Sequence, residues 1–174
     1  MTAKRSLAIL MLAPMLLLPA CASDPTQGYA FASTYDAQIK TIAVPIFRND
    51  TMSRGIELQL TEAIIKEIQR RTPWRIADSD RADTTLTGAI TTTTLSVLSD
   101  SPRTGLVQEQ AVQITIRFDF RDNRTGDSIA ARDGFSATAT FAPERGVGDR
   151  LELGERSAID ELARDLVSEL RSSW

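Results

Sequence analysis

Two stretches of the chain repeat apolar residues at every third or fourth position. In residues 53–71 and again in residues 153–171, isoleucine, leucine, valine and alanine fall on one side of the helical turn and charged residues on the other. This spacing is typical of amphipathic helices whose apolar stripe faces a core. We predict two helices, the first beginning at an N-cap Ser53 and ending at Thr72-Pro73. We expect both stripes to pack inside the domain.

Polar and apolar residues alternate one by one in the region between these helices. The clearest strand is Val107–Arg121, in which every second residue from position 112 to 120 is apolar and the residues between them are polar. Ser128–Phe141 pairs back in the same way, with a bulge expected at Gly134. Thr84–Leu98 also alternates, but its apolar positions change parity, which predicts a β-bulge near Thr94. One face of this sheet should be buried and the other wet.

Two shorter apolar segments complete the predicted sheet. Residues 39–47 form a first strand, which Pro45 ends or places at an edge because proline cannot donate to a strand ladder. Residues 74–77 form a short strand after the first helix, and a loop is expected at residues 143–148. This order of elements predicts an α+β two-layer sandwich, with two helices packed on one face of a mostly antiparallel mixed sheet.

The N-terminal residues are arranged like a bacterial lipoprotein leader. Lys4 and Arg5 precede a short apolar run, and Leu18-Pro19-Ala20-Cys21 resembles the lipobox, in which the cysteine is acylated and the leader is cut before it. The apolar run is too short to span a bilayer. We predict a lipoprotein signal peptide at residues 1–20, an acylated tether at residues 21–37 and a single domain at residues 38–174.

Cys21 is the only cysteine of the chain, so its acyl chains would form the membrane anchor. Two or more acyl chains anchor a protein stably, whereas one does so only marginally. Ala22 follows the cysteine, which by the lipoprotein sorting rule favours the periplasmic face of the outer membrane over the inner membrane. Beyond these covalent acyl chains, we expect no cofactor.

Composition removes several classes of function. The chain has no histidine, which excludes serine–histidine and cysteine–histidine catalysis and the usual zinc sites. Neither a phosphate-binding P-loop nor a glycine-rich dinucleotide turn occurs in the sequence. Acidic residues outnumber basic ones, 23 to 20, so no basic excess indicates nucleic-acid binding. We predict a protein that is not an enzyme and holds no metal.

Four quoted stretches of the chain form a recognisable series. They are Gly28-Tyr29-Ala30-Phe31, IKTIAVPIFRNDT at residues 39–51, GIELQLTEAIIKEI at residues 55–68 and RADTTLTGAI at residues 81–90. Together they resemble the LptE family of lipopolysaccharide-assembly lipoproteins. The resemblance implies a plug that sits inside the outer-membrane β-barrel LptD, helps it place lipopolysaccharide in the outer leaflet and binds lipopolysaccharide itself. The chain departs from the family pattern at residues 22–27, which separate the cysteine from the Gly-Tyr pair.

Three arginines are our candidates for contact with lipopolysaccharide. Arg117 and Arg121 share the wet face of the clearest strand, and Arg103 lies in the loop predicted at residues 100–105. A guanidinium group binds phosphate through two parallel hydrogen bonds, which suits the phosphates of lipid A. The basic residues with this role in the family do not align with any position here, so the choice depends on location alone.

A second resemblance leaves an alternative open. TIAVP at residues 41–45, followed by a helix rich in leucine and isoleucine, is similar to periplasmic lipoproteins such as the penicillin-binding-protein activators and the curli-secretion lipoprotein. In that interpretation the protein regulates a cell-wall synthase or forms part of a secretion assembly. The Gly28-Tyr29 pair and the hairpin after Asp83 favour the LptE family.

Overall fold

The structure is a computed structural model that describes residues 39–142 and 147–172, all within one compact unit of the chain. In chain order, the described elements are β1 (Thr41–Ala43), β2 (Arg48–Asn49), α1 (Ile56–Arg71), β3 (Arg75–Ile76), β4 (Thr84–Asp100), β5 (Val107–Asp122), β6 (Ser128–Phe141) and α2 (Val147–Ser172). The predicted signal peptide and tether lie outside the described residues.

The six strands form one open mixed sheet in the order β3-β1-β4-β5-β6, and β2 pairs with β4 on the same side as β1. The short strands β1, β2 and β3 make parallel pairs, and α1 provides the crossover between β2 and β3. The long strands β4, β5 and β6 pair antiparallel through tight connections. The predicted mixed, mostly antiparallel sheet is confirmed.

Both helices pack against one face of this sheet. The apolar stripe of α2 is buried at every position: Ala158, Ile159, Leu162, Ala163, Leu166, Val167 and Leu170. On α1, Ile56, Leu60, Ile64 and Ile68 are buried in the same cluster, together with inward-facing residues of β4 and β5. Each large aliphatic side chain stabilises the fold by about 1.5–3 kcal/mol when fully buried. The stripes are therefore core, and the α+β two-layer prediction is confirmed.

The two helices begin at residues other than those predicted. α1 follows Gly55, which has a left-handed φ of 84° and makes no side-chain cap, so Ser53 is not the N-cap. α2 begins at Val147, inside the predicted loop at residues 143–148. Glycine has a low helix propensity, so the sequence pattern did not indicate a helix over this first part of α2. Gly154 nevertheless suits its position, because a Cβ there would lie 2.6 Å from the ring of Phe141.

The predicted first strand is divided at its proline. β1 ends at Ala43, Pro45 lies in the break, and β2 resumes the pairing with β4 at Arg48. Proline lacks the N–H that a continuous ladder would need there. The interruption places a polar segment, residues 48–50, beside the middle of β4, and this segment becomes part of the candidate site.

The bulges predicted for the long strands are present, but one of them lies at a different residue from the one predicted. In β4 the register shifts between Ile90 and Thr92, not near Thr94 as predicted, and shifts again after Val97. Threonine suits either face of a strand, so the threonine run hides the point at which the parity changes. The predicted bulge at Gly134 is confirmed by a register shift between β5 and β6 and by a φ of 73°.

Candidate functional site

The sheet face that the helices leave open carries the arginines predicted on it. Arg117, Asp119 and Arg121 alternate along β5 with three apolar residues that are buried in the core. Successive side chains of a strand point to opposite faces, so these three share the open face. The side chains of Arg117 and Arg121 are 42% and 55% exposed, respectively.

Carboxylates hold both arginines of this face. Arg117 Nη2 lies 3.0 Å from Oδ2 of Asp50, which follows β2, so this ion pair reaches across β4. Arg121 Nη2 lies 2.6 Å from Asp119 Oδ2 on its own strand. The Ser128 hydroxyl donates to the other oxygen of Asp119 at 2.6 Å. The hydroxyl of Ser128, followed by the guanidinium of Arg121, holds the pKa of the Asp119 carboxyl below its usual range.

These ion pairs determine how the open face can bind an anion. An exposed ion pair contributes only about 0–1 kcal/mol, because water and salt screen it. A phosphate that makes two parallel hydrogen bonds to a guanidinium can compete with a single carboxylate contact. The face can therefore exchange an internal carboxylate for an external anion, and Asp50 and Asp119 are the internal competitors.

A cavity of about 600 Å³ opens beside Arg117. Its lining extends from the segment between β1 and β2, across β4 and β5, to β6, and includes Ile46, Arg48 and Arg132. Arg132 is paired with Glu169 of α2. Arg48 is exposed and makes no ion pair with any residue that the structure describes. The sequence did not reveal this cavity, because four separate segments assemble it.

Arg103 lies far from the other two candidates. It is exposed in the turn between β4 and β5, whereas Arg117 lies ten residues beyond Val107, the first residue of β5. At roughly 3.3 Å per residue, the strand separates them by about 30 Å. The structure brings Arg117 and Arg121 together on one face and leaves Arg103 at the far end of the hairpin.

Asp83 joins the beginning of β4 to β1. Its Oδ2 accepts hydrogen bonds at 2.9 Å from the N–H groups of Lys40 and Thr41 and from the Thr41 hydroxyl. Its own N–H donates to the Thr41 hydroxyl oxygen, also at 2.9 Å. The N–H of Lys40, followed by the hydroxyl of Thr41, lowers the pKa of the Asp83 carboxyl. This residue of the quoted stretch RADTTLTGAI therefore has a structural role.

Gly88, which belongs to the same segment of β4, lies where the core packs against the backbone of the sheet. A Cβ at this position would overlap the ring of Phe47 and lie 2.8 Å from the carbonyl oxygen of Arg117. Glycine in a strand often marks such a close approach of another group. Phe47 is fully buried against the strand, so Gly88 allows the core to pack directly beneath the backbone that carries Arg117.

Two absences concern only the residues that the structure describes. Within residues 39–142 and 147–172, no group of three or more acidic or cysteine side chains is arranged to hold a metal ion. In the same two ranges, no helix is both long enough and apolar enough to cross a membrane. Cys21, the predicted lipidation site, lies outside these ranges.

Fold and site together define a class of protein: a two-layer α+β domain with an apolar core on one side of its sheet and a charged, open face on the other. Residues 39–173 match the model of LptE, the lipopolysaccharide-assembly family, and the chain belongs to this family. Membership associates the protein with the lipopolysaccharide-assembly machinery of the bacterial envelope. It also decides between the two sequence resemblances in favour of LptE.

Solved structures share the fold at low sequence identity. A hypothetical protein from Chlamydia trachomatis is 8% identical with a TM-score of 0.55, and the alignment covers 78% of this chain and 97% of that one. A protein from Xanthomonas campestris is 10% identical with a TM-score of 0.53, and the alignment covers 78% of this chain and 85% of that one. These similarities concern the fold alone. No curated protein matches the chain.

Proposed function

We propose that the protein is a lipid-anchored lipoprotein on the periplasmic face of the outer membrane, where it serves as the plug partner of an LptD-like β-barrel and assists the insertion of lipopolysaccharide. The observation that carries the proposal is the family match, which extends over residues 39–173. The leader that ends at Cys21 supports it, because acyl chains there would hold the domain at the membrane where such a barrel resides.

The open sheet face supports a position inside a barrel. The interior of an outer-membrane barrel is polar. A face on which Arg117 and Arg121 are paired with carboxylates can lie against polar walls or trapped water with these two charges neutralised. The apolar stripes of both helices are buried within the domain itself, so neither stripe needs an apolar surface on the barrel wall.

The same face is our proposed contact for lipopolysaccharide. Arg117 and Arg121 present guanidinium groups on one surface, and the neighbouring cavity adds Arg48 and the apolar side chain of Ile46. Phosphate and sugar groups joined to acyl chains need both kinds of partner. Arg103 would make a separate contact at the hairpin turn, about 30 Å away by strand length.

The decisive experiment is affinity purification of the native, acylated protein in mild detergent, followed by mass spectrometry of the proteins that accompany it. We expect a large outer-membrane barrel at near-stoichiometric amounts. Recovery of a peptidoglycan synthase, or of a ring of the protein's own copies without a barrel, would contradict the plug role and return the alternative of another envelope machine.

A separate experiment tests the anchor. We expect Cys21→Ser to release the protein into the soluble periplasm, because the acyl chains would provide its attachment. The melting temperature of the domain should remain within the error of the wild type, since position 21 precedes residues 39–173. A variant that stays in the membrane fraction after a carbonate wash would show that something other than acylation anchors the chain.

A further inference from the structure

Two charged side chains of the cavity beside Arg117 have no ion-pair partner among the residues that the structure describes. The charged residues of its lining are Arg48, Arg117, Asp119, Arg132 and Asp133. Ion pairs with Asp50, Arg121 and Glu169 neutralise the three middle residues of this list. Arg48 and Asp133 are exposed and form no ion pair within residues 39–142 and 147–172. Within these ranges, the cavity therefore offers a ligand one unpaired positive charge and one unpaired negative charge.

The sheet places these two charges on opposite walls of the cavity. Arg48 of β2 pairs with Ala89 of β4, which pairs in turn with Arg117 of β5. The register of β5 and β6 shifts at Arg117, and Asp133 lies in the resulting bulge. Four neighbouring strands thus form one row, in which the backbones of Arg48 and Asp133 are three strand spacings apart, about 14 Å. A ligand that contacts both must carry its opposite charges within this span.

Ala89 forms the floor of the cavity between two guanidinium groups. It lies opposite Arg117 and therefore shares the open face, where its small methyl group is covered and only 1% exposed. A phosphate over this methyl group would lie between Arg48 and Arg117, and guanidinium groups bind phosphate through parallel hydrogen bonds. The backbone of Asp133 is two strand spacings away, about 10 Å. An aminoethyl arm on the phosphate and the carboxylate side chain together span this distance.

A ligand with charges of one sign satisfies only half of this arrangement. An anionic ligand would neutralise Arg48 but would bring negative charge towards Asp133, and like charges that meet in an interface lower affinity and exclude wrong partners. A cationic ligand would have the reverse fault at Arg48 and Arg117. A ligand with one phosphodiester and one ammonium group neutralises both walls and leaves the existing ion pairs intact.

We propose that the cavity binds a phosphoethanolamine headgroup, with its phosphodiester between Arg48 and Arg117 and its ammonium group at Asp133. Ile46 lines the same cavity and is 62% exposed, so it provides an apolar contact for the rest of a lipid. This ligand assignment rests on the proposed function for one step, because the lipid anchor would hold the face near such headgroups. Two sources share the chemistry: a membrane phospholipid, and lipopolysaccharide that carries phosphoethanolamine.

Water-soluble headgroups test the charge pattern. The acylated full chain in non-ionic detergent would be titrated with glycerophosphoethanolamine and with glycerophosphoglycerol, which has a phosphodiester but no amine, and binding followed by ligand-observed NMR. We expect tighter binding of the first, on the order of tenfold. Arg48→Gln should weaken both on the order of tenfold. Asp133→Asn should weaken only the first and abolish the preference, whereas Asp133→Glu, which keeps the charge, should keep the preference.

Arg81→Gln and Asp127→Asn are the matched controls, because both side chains are exposed and neither residue belongs to the cavity lining. Both should bind the two headgroups like the wild type. Competition then identifies the source: we expect micelles that contain phosphatidylethanolamine, or lipopolysaccharide that carries phosphoethanolamine, to displace the soluble headgroup. Lipopolysaccharide without phosphoethanolamine is the reference for the second of these ligands.

Four results would each overturn the proposal: no detectable binding of glycerophosphoethanolamine, equal affinity for the two headgroups, a preference that survives Asp133→Asn, or wild-type affinity in Arg48→Gln. None of them would bear on whether a barrel accompanies the purified protein. A missing barrel would in turn refute the plug role and leave the headgroup preference standing, so the two failures are distinguishable.

Discussion

At the scale of single residues, Gly88 has no side chain at a point where the core and the strand that carries Arg117 come into close contact. The ring of Phe47 occupies the space that a Cβ would need, and the carbonyl of Arg117 closes the other side at 2.8 Å. Neither neighbour can move freely, since Phe47 is fully buried and the carbonyl belongs to the β4–β5 ladder. The lack of space around the backbone is therefore what excludes a larger residue at position 88.

We predict that Gly88→Ala lowers the free energy of unfolding by about 1–3 kcal/mol, the usual cost of overfilling a packed core. Urea denaturation followed by circular dichroism measures it. The loss should shrink in a Phe47→Leu background, where the ring is absent. Gly134→Ala, which changes a glycine with open space around it, serves as the comparison and tests backbone strain alone. Equal losses for Gly88→Ala with and without Phe47 would contradict the steric explanation.

Asp83 makes the stability of the fold depend on pH. Its folded-state pKa is lowered, first by the N–H of Lys40 and then by the hydroxyl of Thr41. A depressed pKa means that the carboxylate stabilises the fold above its unfolded pKa of about 3.9, and that this stability is lost as pH falls through the folded value.

We therefore expect Asp83→Asn to reduce stability more at about pH 7 than at about pH 3, because pH 3 lies below the unfolded pKa and the carboxylate of the wild type contributes less stability there. Chemical denaturation at the two pH values measures the difference. Asp80→Asn, at an exposed carboxyl in the preceding turn, is the control and should leave stability unchanged. An Asp83→Asn deficit that is the same at both pH values would show that the charge is not what joins β1 to β4.

At the scale of elements, the entry to α1 depends on Asn49 and not on the serine that the sequence suggested. The Asn49 amide donates to the carbonyl of Ser53 and, at 2.8 Å, to the carboxylate of Glu57. Its oxygen accepts hydrogen bonds from the N–H of Thr51 at 2.9 Å and from its hydroxyl at 2.7 Å. One side chain thereby orders the whole connection from β2 to the helix that begins after Gly55.

We expect Asn49→Ala to lower the free energy of unfolding by about 1–3 kcal/mol, because it leaves several partly buried groups of the connection without partners. Ser53→Ala should change it by less than about 0.5 kcal/mol, as is usual for a side chain without such contacts. Thermal and urea denaturation of the two variants measure the contrast. The reverse order of effects would restore Ser53 as the residue that begins the helix.

The elements that were predictable from the sequence are those whose periodic pattern is long. The stripe of α2 and the alternation of β5 each persist over many residues, so their faces and their burial were predicted correctly. The start of α2 and the bulge of β4 were misplaced where glycine and threonine carry no information about which face is buried. A pattern reveals a face only where residues differ in their preference for water.

At the scale of the whole molecule, the sequence predicted which arginines lie on the open face but not which residues surround them. Alternation along β5 correctly placed Arg117 and Arg121 on the open face, but it could not show that carboxylates already hold them. Asp50 is 67 residues from Arg117 along the chain, and only the sheet topology brings the two together. The cavity with Arg48 has the same origin. Tertiary pairing of this kind leaves no local signal in a single sequence.

Because Arg117 is paired with Asp50, we predict that substitutions at these two positions change the affinity for lipopolysaccharide in opposite directions. If the open face binds lipopolysaccharide through this guanidinium, Arg117→Gln should weaken binding on the order of tenfold, since it removes a charge-assisted contact. Asp50→Asn should instead strengthen binding by up to about fivefold, because it removes the internal competitor of an exposed ion pair. The side chains of Arg117 and Asp50 are 42% and 45% exposed, and an exposed ion pair contributes little to stability, so neither change should alter the fold.

Binding to purified lipopolysaccharide would be measured by fluorescence titration, with dephosphorylated lipopolysaccharide as the ligand control, for which both variants should behave like the wild type. Arg70→Gln is the matched protein control, because Arg70 is also an exposed arginine paired with a glutamate, but on α1. It should leave affinity unchanged. If Asp50→Asn weakens binding as Arg117→Gln does, the ion pair itself is what matters, and it braces the sheet. Opposite shifts would identify Arg117 as a phosphate-binding group that its own domain keeps occupied until the ligand arrives.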